Sequence, residues 1–154
     1  MHAATACKLV TKGIAICDKA YTICSIYIPP SSRLHRHDLD HLVDQLPAPY
    51  VLCGDFNGHN TLWGSQSTND KGATLENFID DHDMILLNMS SPTRYDDYHH
   101  TYSTIDLSIC HPSVYLDWTC NVLPDRHGSD HFPLSLQLNS DQVNHERIHI
   151  HVEL

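Results

Sequence analysis

The sequence feature that most constrains the fold is a short, unbroken apolar run at residues 50–53, Tyr-Val-Leu-Cys. It ends abruptly in the polar segment Gly-Asp-Phe-Asn-Gly at residues 54–58. A continuous apolar run of this length is typical of a strand that is covered on both faces. The chain is therefore expected to form a sheet between two other layers, with polar residues at the end of an inner strand.

Helices are predicted on both sides of this strand along the chain. The first, over residues 33–46, is indicated by an i, i+3, i+4, i+7 spacing that gives one face to Leu39, Leu42, Val43 and Leu46. The second is predicted near residues 72–82. Strands are predicted over residues 4–9, 13–17, 22–28, 84–88, 104–110, 115–122 and 132–138. This alternation predicts a layered α/β fold over residues 1–140, with residues 141–154 as a peripheral tail.

Length and charge limit the classes of function. The 154 residues allow one ordinary domain, and no apolar run is long enough to cross a bilayer, so a membrane protein is excluded. The net charge of −10 argues against a generally basic nucleic-acid binder, but it is compatible with a nuclease whose metal site is built from carboxylates. The six cysteines form no C-x-x-C pair and no secretory signal is present, so reduced thiols and an intracellular location are expected.

Polar residues stand at the borders of three predicted strands: Asp55 with Asn57, Asp106, and Asp130 with His131. A single aspartate after a strand is more often a turn residue or a helix cap than a site residue. Three such groups, each flanked by apolar residues that anchor it, instead favour a catalytic bowl on the rim of the sheet.

The residue types suggest roles within such a bowl. His131 is the natural general base, because its ordinary pKa lies near neutrality. Asp106 is a candidate for orienting it through the other ring nitrogen. Asp130, next to His131 on an extended chain, is better placed as a metal ligand. Asp55 and Asn57 are two residues apart and would face the same side, where they suit a hard cation and a phosphate or water.

Several motifs resemble those of a known superfamily. "GDFN" (54–57), "STIDLSI" (103–109) and "SDHFPL" (129–134) are similar, in order and spacing, to the last three motifs of the endonuclease/exonuclease/phosphatase superfamily. "SIYIPP" (25–30) resembles the strand that carries the active-site tyrosine of that superfamily. "HNTLWGS" (59–65) and "SPTRY" (91–95) resemble the endonuclease domain of jockey-like non-LTR retrotransposon polyproteins.

The resemblance spans residues from about 4 to 138 and implies a fold and an activity. The fold would be the layered α/β sandwich of deoxyribonuclease I and the apurinic endonucleases. The activity would be metal-dependent nicking of DNA, with Mg²⁺ or Mn²⁺ as cofactor and a free 3′-hydroxyl as product. A reverse transcriptase domain would follow in the full-length polyprotein, and the active protein would work in the nucleus.

The resemblance also implies residue roles. Tyr27 would hydrogen-bond the scissile phosphate, Asp55 would position or activate the attacking water, and Asn57 would hold that water or a phosphate oxygen. Asp106 would orient His131, and Asp130 would support the metal. Loop residues that would approach DNA are Asn60, Trp63 and Arg94.

One departure from the superfamily pattern leaves alternatives open. Its members begin with a further strand–helix–strand region that supplies an Asn and a metal-binding Glu, and neither residue type occurs here before Tyr27. The chain is therefore expected to be N-terminally truncated, the C-terminal two-thirds or so of the domain. Two other functions remain: a phosphoesterase acting on lipid head groups or RNA tails, and a non-catalytic remnant. Trp63 serves equally well as a packing residue of its loop.

Overall fold

The computed structural model describes residues 8–16, 19–139 and 150–151. Short 3-10 helices occupy Thr61–Trp63 and Pro112–Asp117. The remaining elements, in chain order, are β1 Lys8–Ile16, β2 Lys19–Tyr27, α1 Arg36–Gln45, β3 Tyr50–Asp55, α2 Asp70–Asp81, β4 Ile85–Leu86, β5 Arg94–Asp96, β6 Thr101–Ser103, β7 Asp106–Cys110, β8 Trp118–Val122, β9 Leu134–Leu138 and β10 Ile150–His151.

The strands form a central sheet, a second sheet and a small hairpin. The central sheet has the order β1-β2-β3-β7-β4, in which β2 and β3 are parallel and the other pairs antiparallel. The second sheet has the order β10-β9-β8, and β5 pairs with β6 in the hairpin. All six residues of β3 are buried, as its apolar sequence predicts for an inner strand.

The two helices cover one face of the central sheet. The predicted apolar face of α1 is confirmed, because Leu39 and Val43 are buried and Leu42 and Leu46 are partly buried against the same core. From α2, Leu75, Phe78 and Ile79 enter this core, where they meet Leu52, Leu107 and Ile109 of the sheet.

The second sheet packs on the opposite face of the central sheet. Alternate residues of the central strands, such as Ile23, Val51 and Cys110, share a core with Trp118 and Leu136 of the second sheet. The layers are therefore helices, sheet and sheet. This confirms the predicted layered α/β fold, and β3 lies between the two cores.

Three details differ from the expectations. Residues 8–16 form one strand instead of two, because pairing with β2 continues through the polar residues near Gly13. Residues 112–117 begin with a proline and form a 3-10 helix, so the strand predicted from residue 115 begins only at Trp118. The polar stretch 90–101 contains most of the β5–β6 hairpin. The boundary of the predicted tail lies outside the described residues.

The described cysteines, Cys24, Cys53, Cys110 and Cys120, carry free thiols, and Cys7 and Cys17 lie outside the described residues. Burial raises the pKa of the Cys53 thiol to about 12, so this side chain behaves as a small neutral hydrophobe. Within the described part of the chain, no helix has the length and apolar character needed to span a membrane.

Candidate active site

Three polar residues lie in one row across the central sheet. Tyr27 is in register with Asp55 on the parallel neighbour β3, and Asp55 is in register with Asp106 on the antiparallel neighbour β7. Paired residues of adjacent strands project to the same face. The sheet therefore brings together three of the predicted site residues at one end, on the face that carries the second sheet.

The backbone around Asp55 is shaped by its neighbours. Gly54 has φ +138°, and a Cβ at this position would lie 2.0 Å from the carbonyl oxygen of Ile26, so only glycine fits. Two residues beyond Asp55, Asn57 has φ +48°, a conformation that asparagine adopts more readily than most residues. Its backbone N–H donates to Asp55 Oδ1 at 2.9 Å, which closes an Asx turn.

This turn folds the Asn57 side chain back towards Asp55. Its Nδ2 donates to Asp55 Oδ2 at 2.8 Å and to the carbonyl of Ile28 at 3.0 Å. Both amide hydrogens are thereby used, so the amide oxygen is the atom through which Asn57 would accept a bond from water or coordinate a cation. The predicted pairing of Asp55 and Asn57 is thus present in the structure.

Asp55 is a buried carboxylate beside another one. It is 4% exposed, and burial, followed by the negative charge of Asp106, raises its pKa from 3.8 to about 6. The two Asn57 hydrogen bonds and the charge of His131 act in the opposite direction but are weaker. A positive charge placed beside this pair would favour its ionised form.

Asp106 and His131 form the predicted carboxylate–imidazole pair. His131 Nδ1 lies 3.1 and 3.0 Å from the two carboxylate oxygens of Asp106, whose side chain is 5% exposed. This bond, the largest cause, raises the pKa of His131, while burial opposes it and the charges of Asp106, Asp55 and Asp130 add to it. A neutral His131 would donate from Nδ1, which leaves Nε2 to accept a proton.

Asp130 is held by an arginine. Arg94 Nε donates to Asp130 Oδ2 at 2.9 Å, and Asp130 Oδ1 lies 4.0 Å from His131 Nε2. Burial alone would raise the pKa of Asp130, but the Arg94 bond and the charges of His131 and Arg94 together lower it. Asp130 is thus ionised beside His131 Nε2, and its role as a metal ligand stays a prediction.

Two residues expected to approach DNA are buried. Asn60 is 1% exposed, accepts the Leu62 N–H at 2.8 Å and donates to Glu76 at 2.7 Å, so it caps the 3-10 helix. Trp63 is 0% exposed and donates from Nε1 to the Gly58 carbonyl at 3.1 Å. Neither side chain reaches the surface here. This corrects the expectation of direct DNA contact and favours the packing interpretation of Trp63.

Three residues that support the site were not predicted from the sequence. Lys71, 8% exposed, donates to the carbonyls of Pro29 and Pro30 and so fixes the loop after Tyr27. Asn88 and Thr93 are both buried and hydrogen-bond the backbone of β7 at Asp106. The only available signal was the position of Thr93 within the "SPTRY" motif, because buried polar residues outside strand ends have no distinctive pattern.

The site has the composition of a cation-binding centre. Ligand atoms of Asp55, Asp106 and His131 all lie within 4.8 Å of one another, and we call these three residues the carboxylate–histidine cluster. Oxygen-rich sites with few protein ligands suit Mg²⁺. The arrangement combines a polarised imidazole, a carboxylate pair that a cation would stabilise, and an amide acceptor. These are the groups needed to activate water against a phosphate ester.

Comparison with known proteins at the level of sequence points to retrotransposon polyproteins. A family model described as endonuclease-reverse transcriptase matches residues 21–135. A probable RNA-directed DNA polymerase from transposon BS of Drosophila melanogaster is 26% identical over 127 residues, which are 78% of this chain and 13% of that protein. The corresponding protein from transposon X-element of the same organism is 21% identical over 125 residues, 80% of this chain and 14% of that protein. The chain thus spans a small part of these relatives.

Comparison of structures finds the same fold in two solved proteins. The endonuclease domain of TRAS1, a telomere-specific non-LTR retrotransposon, superimposes with a TM-score of 0.76 at 20% identity, covering 87% of this chain and 64% of that one. An endonuclease/exonuclease/phosphatase family protein from Leptotrichia buccalis gives a TM-score of 0.63 at 14% identity, covering 86% and 54%.

Proposed function

Because the chain belongs to the endonuclease-reverse transcriptase family, we propose that it nicks DNA by metal-dependent hydrolysis of a phosphodiester bond. The observation that carries this proposal is the hydrogen bond between Asp106 and His131, placed beside the buried carboxylate of Asp55. The chain would act as the endonuclease part of a longer retrotransposon protein, with a reverse transcriptase domain as its partner and the nucleus as its place of action.

The cluster fits a divalent cation. Asp55 and Asp106 are two buried carboxylates in register on adjacent strands, and their mutual repulsion contributes to the raised pKa of Asp55. Asp55 of this cluster would hold the cation together with Asn57 and Asp130, which lie next to the cluster. Asn57 would do so through its amide oxygen, because both of its amide hydrogens are already used. When bound, Mg²⁺ or Mn²⁺ supplies positive charge that stabilises the negative charge developing on the phosphate.

The protein side chains would prepare the attack. Asp106 holds the His131 ring through Nδ1, so that Nε2 is the nitrogen that accepts a proton from water or contacts the phosphate. Asp55 would orient the water, and Asn57 would bind the water or a phosphate oxygen. Tyr27, in register with Asp55, would donate a hydrogen bond from its hydroxyl group to another phosphate oxygen.

A surface suited to nucleic acid adjoins the cluster. Arg94 forms a β-bridge with His131 and begins the β5–β6 hairpin. That hairpin carries Tyr98 and Tyr102, which are 87% and 58% exposed. Exposed aromatic rings offer stacking surfaces to bases, and Arg94 at the start of the hairpin offers a phosphate contact. These features support DNA as the substrate over a small phosphate ester.

Nicking of supercoiled plasmid in the presence of Mg²⁺ tests the proposal. We expect conversion to open circles, no conversion in EDTA, and a rate about 10²- to 10⁴-fold lower for His131→Ala, because a general base contributes this much. His82→Ala, which alters a His–Asp pair between the helices, is the matched control and should nick normally.

Three outcomes would overturn the proposal. Nicking that is equal in His131→Ala would place the chemistry elsewhere. Hydrolysis of a phosphoinositide or an RNA tail without DNA nicking would make the chain a phosphoesterase. A folded chain with no hydrolysis of any of these substrates would be a non-catalytic member of the family.

A further inference from the structure

Among the described strands, none pairs with the outer edge of β7 at the active-site end. On this side β4 pairs only with the far half of β7, through Ile85 with Cys110 and Leu86 with Ile109. One more backbone bond, from the Leu87 N–H to the Ser108 carbonyl at 2.8 Å, ends the contact. The backbone of Asp106 therefore lies beyond the reach of β4.

Two side chains continue the ladder in place of a strand. Asn88 accepts the Ser108 N–H at 2.6 Å and donates to the Asp106 carbonyl at 2.9 Å. Thr93 Oγ1 accepts the N–H groups of Asp106 and Ile105, both at 3.0 Å. Both backbone polar groups of Asp106 are thus bound by side chains, and both side chains are buried, Asn88 at 4% and Thr93 at 0% exposure.

Thr93 also reaches the other half of the Asp106–His131 pair. Its carbonyl accepts the N–H of Phe132, the residue after His131, at 2.7 Å. One residue therefore fixes the backbone beneath the carboxylate and the backbone beside the imidazole. Its own N–H donates to Ser103 at 2.9 Å, which joins it to the β5–β6 hairpin.

We propose that Asn88 and Thr93 are positioning residues that hold Asp106 in the geometry by which it orients His131. This inference rests on the proposed hydrolysis of phosphodiesters. If the carboxylate moves away from Nδ1, its hydrogen bond with that nitrogen lengthens and the neutral ring loses part of its preference for the Nδ1–H tautomer. The effect of either residue would pass through Asp106, since neither side chain belongs to the carboxylate–histidine cluster.

The test combines isosteric and conservative substitutions. Thr93→Val preserves shape but removes the acceptor, Thr93→Ser keeps the hydroxyl, and Asn88→Ala removes both side-chain bonds. Asn69→Ala is the matched control, because Asn69 also accepts two backbone N–H groups, those of Gly72 at 2.8 Å and His59 at 3.1 Å, at the start of α2. The readouts are plasmid nicking, melting temperature, and the ring ¹⁵N shifts of metal-free His131, identified by their loss in His131→Gln.

The expected pattern separates positioning from simple stability. Thr93→Val and Asn88→Ala should shift His131 towards a mixture of tautomers and lower the nicking rate about 10- to 100-fold, the usual loss when a supporting hydrogen bond to a site residue is removed. Thr93→Ser should restore both signals. Asn69→Ala should lower the melting temperature and leave the His131 tautomer and the nicking rate unchanged.

The opposite pattern would overturn the inference. If Thr93→Val or Asn88→Ala lowers only the melting temperature, as Asn69→Ala does, the two residues are structural. If Thr93→Val does not fold, Asn88→Ala and Thr93→Ser decide the matter by the same readouts. A tautomer shift in a chain that does not nick DNA at all would support the positioning role while refuting the proposed function.

Discussion

Two of the His–Asp pairs in the described part of the chain have surroundings that differ. Between the helices, His82 Nε2 lies 2.8 Å from Asp40 Oδ1; in the cluster, His131 Nδ1 lies 3.0 Å from Asp106 Oδ2. The two histidine side chains are similarly exposed, 29% and 25%, but the aspartates are not: 39% for Asp40 and 5% for Asp106.

The neighbours of the two carboxylates also differ. Asp40 accepts a second bond from Arg36 Nε at 2.8 Å, so its charge is balanced by cations at the surface. Asp106 instead has Asp55 in register beside it. The pair alone therefore does not define an active site. Burial of the carboxylate and an unbalanced neighbouring charge distinguish a site that can use a proton and a cation from a contact that joins two helices.

Removing the charge of each aspartate should give the largest difference in activity between the two pairs. Asp106→Asn would favour the wrong tautomer of His131, and we expect plasmid nicking to fall by up to about 10⁴-fold, as when the equivalent charge is removed from a catalytic triad. Asp40→Asn should nick at the wild-type rate. Equal losses in the two variants would contradict the distinction drawn between the pairs.

Stability should respond to charge removal with opposite signs in the two regions. The pKa of Asp55 is 3.8 in the unfolded chain and about 6 in the folded protein. At a pH between these two values, the folded protein therefore holds a proton on Asp55 that the unfolded chain has released. The free energy of unfolding therefore decreases as pH rises through this window, by up to about 3 kcal/mol from this group. At pH 7, Asp55→Asn should therefore have a higher free energy of unfolding than the wild type, because it regains part of the stability lost through this window.

Urea unfolding in EDTA at pH 4 to 7 measures the difference. Asp55→Asn should be more stable than the wild type at pH 7, and its stability should lack the decrease between pH 4 and 6. In contrast, the pKa of Asp40 is lowered, mainly by its hydrogen bond with His82 and secondly by its hydrogen bond with Arg36. Asp40→Asn should therefore be less stable than the wild type, by under about 1 kcal/mol because the pair is exposed. A loss of stability in Asp55→Asn at pH 7 would show that its carboxylate is already compensated without metal.

The smallest expected effect is on DNA binding, and it compares the two arginines that form ion pairs with aspartates, Arg94 at the site and Arg36 between the helices. Arg94→Ala should weaken DNA binding and reduce the slope of log K against log salt concentration by about one, as for the loss of one phosphate contact. Arg36→Ala, which removes contacts to Asp40 and Asp81, should leave the slope unchanged. Fluorescence anisotropy with a duplex in the His131→Gln background gives both values, and an unchanged slope in Arg94→Ala would exclude a phosphate contact.

Much of this architecture could be predicted from local patterns. Apolar periodicity indicated α1 and α2 because each helix buries one face. Polar residues at the borders of apolar runs indicated Asp55, Asp106 and His131, because the end of one strand and the start of its antiparallel neighbour meet at one edge of a sheet. The Asp106–His131 contact could also be anticipated from the chemistry of a general base.

The features of the site that could not be predicted from the sequence depend on contacts between residues far apart in the chain. The salt bridge of Arg94 with Asp130 joins residues 36 positions apart, so the sequence could not show that Asp130 is shared between an arginine and the site. Asn60 and Trp63 were predicted to lie in a loop that approaches DNA, but that loop folds against α2, and both side chains donate to carbonyl groups within the protein. Asn88 and Thr93 act on the backbone of β7, which leaves no signature in residue type.

The ladder at Asp106 has a genetic consequence. A neighbouring strand would offer the same backbone groups whatever its sequence, so its bonds would survive most substitutions. At Asp106 those bonds come from the side chains of Asn88 and Thr93, and each depends on a single codon. The order of the strands therefore depends on backbone groups that most substitutions preserve, whereas the geometry at Asp106 depends on two specific side chains. A copy of this gene can keep its fold through many substitutions and lose its chemistry through one.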